Sequence, residues 1–179
     1  MLASGDRINP WFQEASDRKL ESGDLVAFDT DMVGPFGYCA DVSRTFFCGV
    51  GRPTNRQKEL YRHALDEIEH NLSLVCDGIT LEEFGERAFV QPEVFHHNQY
   101  SCICHGVGMC DEAPKIYYPK DQAEKGYPGT LRENMVICLE SYVGAVGERE
   151  GVKLEQQVRV TKDGYELLST NPLESDLLD

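Results

Sequence analysis

Long apolar runs are missing from this sequence. None reaches the ~18 residues that carry a helix across a bilayer, so a membrane-spanning helix is not expected. Met1 leads straight into Leu-Ala-Ser-Gly-Asp-Arg, without the basic and apolar stretches of a secretory leader. The expected location is the cytoplasm. That opening also reads as a mid-domain loop, so the sequence is expected to begin inside a longer domain. Positive charge is scarce: 17 Lys and Arg face 31 Asp and Glu, for a formal net charge of -14. Nucleic acid and anionic membrane surfaces are therefore excluded as main partners. Seven cysteines are present, but the number is odd and no Cys-x-x-Cys occurs. Cys102, Cys104 and Cys110 fit no zinc spacing, and most of the thiols lie in apolar runs, as expected of buried, reduced cysteines. Repeats and low-complexity tracts are absent, and Trp11 is the only tryptophan.

The 179 residues suit one domain with a core of its own. Residues 24–31 read as a strand, Gly34-Pro35 as a turn and 36–48 as a second strand, which together form a hairpin. Asp31 and Asp41 then lie on facing strands. Thr54 with Gln57 makes a capping box. Ala64, Leu65, Ile68, Leu72 and Val75 then recur at helical spacing up to Gly78. A second box, Thr80 with Glu83, opens a helix carrying Leu81, Phe84 and Ala88. His63 and His70 fall on a charged face and are expected to be solvated. Residues 96–118 are rich in His, Tyr and Gly, and 119–133 read as a polar loop. Strands are predicted near 134–142 and 152–160, with a turn at Lys162-Asp-Gly164 into 165–168. The fold class is α+β, divided into an entering loop segment (1–23), a metal-binding body (24–170) and an acidic, frayed tail (171–179).

Carboxylates interrupt these apolar segments. Asp29, Asp31 and Asp41 sit in the hairpin, Glu140 in Met135-Val-Ile-Cys-Leu-Glu140, and Glu155 in Gly151-Val-Lys-Leu-Glu155. An ionised carboxylate in an apolar strand is costly unless its charge is compensated, and divalent cations do this, two of them sharing several carboxylates. With His105, the set is hard and oxygen-dominated, suited to manganese, iron(II), cobalt or zinc rather than copper(I).

In their order along the chain, Gly37-Tyr-Cys-Ala-Asp-Val-Ser-Arg-Thr-Phe46, His105-Gly-Val-Gly108, Glu112-Ala-Pro114, Leu139-Glu140 and Val152-Lys-Leu-Glu155 resemble the M24 metallopeptidase family. The resemblance covers roughly 24–170 and implies the pita-bread α+β fold, of which this chain is expected to form only the C-terminal half. It also implies a homodimer. Two departures stand out. Where the peptidases place their first metal Asp, this chain has Thr30 flanked by Asp29 and Asp31. Where they carry Gly-Leu-x-x-His-Glu, it has Gly108-Met-Cys-Asp-Glu112, one residue shorter, with Asp111 in place of the substrate-contacting His. Both departures are similar to the branch of dimethylsulfoniopropionate (DMSP) lyases called DddP. That likeness implies Asp29, Asp31, Asp41, His105, Glu140 and Glu155 as ligands of two metal ions, with iron favoured. It further implies Asp111 as general base, Tyr100 as an active-site tyrosine, and a small-molecule substrate cleaved to dimethyl sulfide and acrylate. Trp11, Tyr117 and Tyr118 are candidate faces for a sulfonium. An Xaa-Pro-type peptidase and a non-catalytic binding module are the alternatives.

Overall fold

A computed structural model describes residues 1–178. In chain order the elements are β1 (Leu2–Ser4), β2 (Leu25–Asp29), β3 (Met32–Val33), β4 (Cys39–Ala40), β5 (Ser43–Phe47), α1 (Asn55–Leu72), α2 (Leu81–Arg87), β6 (Cys104–Val107), β7 (Asp111–Ile116), α3 (Pro119–Lys125), β8 (Val136–Val143), β9 (Val152–Thr161) and β10 (Gly164–Leu167). Five strands form an antiparallel sheet in the order β10-β9-β8-β6-β7, and β1-β2-β5 form a smaller one. Among the described residues no helix is long and apolar enough to cross a membrane.

Residue parity along β8 sets the architecture, because alternate side chains leave a strand on opposite faces. Ile137, Leu139, Ser141 and Val143 share one face, and Ser141 Oγ donates to Glu67 on α1 (2.6 Å). That face meets the apolar stripe of α1, where Leu60, Ala64, Leu65 and Ile68 are buried. Burying each Leu or Ile contributes roughly 1.5–3 kcal/mol. Cys138, Glu140 and Tyr142 take the other face. The α1 cap forms as the sequence predicts: the Thr54 hydroxyl accepts from Gln57 N and the Gln57 side chain accepts from Thr54 N. The helix stops earlier than predicted, at Leu72, where the Ser73 hydroxyl donates to the His70 carbonyl.

Other expectations change. The predicted strand 36–48 is broken, because Pro35 starts a tight turn with Phe36 at φ 63° and Asp41-Val42 separate β4 from β5. The entering segment contributes strand β1 beside β2. Asn9 Nδ2 donates to the Ala145 carbonyl (2.8 Å), and the Tyr142 hydroxyl donates to the Ile8 carbonyl (2.9 Å), fixing this segment to the larger sheet. Part of the polar stretch 119–133 is helical (α3), with Pro119 in its first turn. At the tail, buried Leu177 joins the core and Glu174 N donates to the Tyr61 hydroxyl.

Candidate metal centre

Register alone brings two carboxylates face to face. Glu140 on β8 pairs directly with Glu155 on β9, while His105 on β6 pairs with Cys138 on β8. All four therefore share one face. Like charges directly opposite each other destabilise a sheet, and both glutamates are buried. His105 Nε2 lies 3.2 Å from Glu140 Oε1, 3.5 Å from Glu155 Oε1 and 3.8 Å from Asp41 Oδ2. Gly106 lets the chain close here, since a Cβ at that position would collide with the Ala113 carbonyl of β7.

The hairpin supplies the other wall. Asp29 ends β2 opposite Ser43, whose hydroxyl lies 2.6 Å from Asp29 Oδ1 and 3.0 Å from Glu155 Oε2. Asp41 is buried, and its backbone N donates to Gln157 Oε1 (3.1 Å). Asp31 stands outward and exposed, yet Asp29, Asp31 and Asp41 offer oxygens within 4.8 Å of one another. The same spacing groups His105 with Glu140 and Glu155, and Asp41 with His105 and Asp111. All six ligand candidates thus converge. Asp111 is partly exposed at the start of β7, with Oδ1 3.7 Å from His105 Nδ1. Glu112 beside it adopts φ 65°, a conformation costly for a residue with a Cβ and frequent at functional sites.

The electrostatics describe a site built for cations. Burial, then Glu155, Asp31, Asp29 and Glu140, push the Asp41 carboxyl up to about 9. Burial opposes the charge on His105, but the hydrogen bond to Glu140 and the nearby Glu155 carboxylate prevail and raise it to about 11. For Glu155, burial is outweighed by Lys153 and His105, which hold its carboxyl low. Asp41 Oδ1 and Glu155 Oε1 are buried without any hydrogen-bond partner. Such orphans are expensive, and a hard divalent cation would satisfy both, so the donor set fits the metal the sequence implies.

Tyr100 is buried, its ring 4.7 Å from Lys153 Nζ and 5.5 Å from the Phe12 ring. The other aromatic candidates separate. Trp11 packs on Tyr142, whereas Tyr117 lines a surface groove beside α2 and α3. Tyr118 is sealed in the core with its hydroxyl on Glu67, so it offers no face to a ligand. Sequence reasoning missed Ser43, Cys138, Lys153 and Gln157. Strand parity points to Cys138 and Gln157, each two residues from a ligand candidate on the same strand; Ser43 and the burial of Lys153 emerge only from the register.

The profile of metallopeptidase family M24 matches residues 1–162. The chain belongs to that family. Over 99% of its length it is 39% identical to the dimethylsulfoniopropionate lyase DddP of Roseovarius nubinhibens, and it spans 40% of that protein. It is 31% identical to the Xaa-Pro dipeptidase of Pyrococcus horikoshii, over 94% of this chain and 46% of that one. The X-Pro aminopeptidase of Thermotoga maritima superposes with a TM-score of 0.80 at 26% identity, covering 96% of this M24 chain and 47% of the other. The pita-bread α+β architecture is therefore shown, and the chain spans about half the length of the relatives it matches.

Proposed function

We propose that this M24 chain carries the metal-binding part of a cytoplasmic C–S lyase that cleaves DMSP to dimethyl sulfide and acrylate. The observation that carries the reading is Asp111. A carboxylate, not an imidazole, stands at the open edge of the site beside His105. When ionised it cannot donate a hydrogen bond to a peptide carbonyl, but it can accept a proton. The greater identity to a lyase than to a dipeptidase supports the same choice.

Asp29, Asp31, Asp41, His105, Glu140 and Glu155 would hold two divalent ions, iron favoured, which would polarise the substrate carboxylate and acidify its α-carbon. Asp111 takes the α-proton. The C–H electron pair becomes the new double bond, and the C–S pair leaves with sulfur as neutral dimethyl sulfide. In the protein alone, burial raises the Asp111 carboxyl above its ordinary value against the pull of His105; bound cations would pull it down again, so most of the activation falls to the metal. Tyr100 walls the site and shares a pocket of about 270 Å³ with Trp11 and Phe12, whose ring faces suit a sulfonium. The reading includes a homodimer.

A peptidase is the second reading, favoured by the Xaa-Pro relatives. A binding module without activity is disfavoured because all six ligand candidates are present. Iron- or manganese-loaded protein should release headspace dimethyl sulfide from DMSP and leave an Xaa-Pro dipeptide intact. Dipeptide hydrolysis without sulfide would establish the peptidase instead.

A further inference from the structure

Lys153 is fully buried in β9, two residues before Glu155 and on the same face. A buried ammonium is costly unless paired and hydrogen-bonded. Its Nζ donates to Glu140 Oε2 and to Ser43 Oγ (2.9 Å) and lies 3.7 Å from Glu155 Oε2. Among the described residues no other Lys or Arg ion-pairs with these two glutamates.

The atoms divide cleanly. Both glutamates turn Oε1 towards His105 and Oε2 towards Lys153. Through the Ser43 hydroxyl the ammonium also reaches Asp29. It therefore grips the ligands from behind and leaves the orphaned Glu155 Oε1 free for a cation. Charge fits as well: five carboxylates against two divalent ions leave one negative charge, which Lys153 balances.

We propose that Lys153 is a built-in counter-charge of the metal centre, a positioning residue that holds Glu140, Glu155 and, through Ser43, Asp29 in ligand orientation whether or not metal is bound. This rests on the metal-centre reading. If it is right, bound metal takes over part of the compensation when Lys153 is removed, whereas a packing role would be indifferent to metal.

The test is thermal unfolding of wild type, Lys153→Met and Lys153→Arg, each chelated and with manganese, alongside manganese binding by equilibrium dialysis. Lys153→Met should lower Tm most without metal, so that its manganese-induced rise exceeds the wild-type rise by about 5 °C or more. Folding of this variant only with manganese is the extreme form of the same result. Lys153→Arg, which keeps the charge, should retain a rise near wild type. An equal or smaller rise in Lys153→Met, or failure to fold in both conditions, overturns the inference. Wild type that neither binds manganese nor gains Tm overturns the metal reading itself, and this inference with it.

Discussion

The floor of the site and its rim are made differently. His105, Glu140 and Glu155 stand on three neighbouring strands, buried, with positions dictated by register and with Lys153 behind them. Asp31 and Asp111 stand on the hairpin and at the start of β7, open to solvent. Around Asp31 the surface is apolar and exposed, with Phe36 at 93% and Val33 at 73%. On the proposed reading the difference separates tasks: the buried floor would hold cations, while the open rim would complete the ligand set through Asp31 and take a proton through Asp111.

The comparison breaks most severely at the floor. Glu140→Ala should abolish metal binding and destabilise the protein by about 3–5 kcal/mol, because it strips Lys153 of its nearest partner. Denaturant unfolding and metal analysis would show both losses. At the rim, Asp111→Ala should cut turnover about 10²–10⁴-fold and leave metal content and Tm near wild type. Asp31→Asn should lower the bound-metal stoichiometry, with stability changed by only about 0.5 kcal/mol.

Proton linkage sharpens the contrast. Asp41 rises from 3.8 to about 9 and His105 from 6.5 to about 11 on folding. Raised values favour the protonated folded form. In chelated protein their contribution to stability is fully present below the unfolded values and is lost as pH climbs through about 9 and then about 11. Metal requires the ionised Asp41 and the neutral His105. The metal-induced rise in Tm should thus grow from pH 6 to 9, and calorimetry in buffers of different ionisation enthalpy should register proton release on binding. A rise independent of pH would contradict these assignments.

Much of the floor was legible in the sequence because a carboxylate stands out in an otherwise apolar strand. Lys153 shares the strand and the parity, yet a lysine beside a glutamate reads as solvated surface until the register shows its burial. The hairpin was legible in outline only. The turn at Gly34-Pro35 was read and forms; its extension through Phe36, at φ 63°, and the interruption of the second strand at Asp41-Val42 were not. α3 escaped notice because its seven residues bury no side chain, so no apolar stripe announces it. β1 was hidden for a related reason, being three residues long at a sheet edge.

The most direct test is dimethyl sulfide release from DMSP by wild type and Asp111→Asn at equal bound iron or manganese. The account predicts release by wild type and loss of about 10²-fold or more in the variant, with metal content unchanged. Equal release by the two proteins would contradict it.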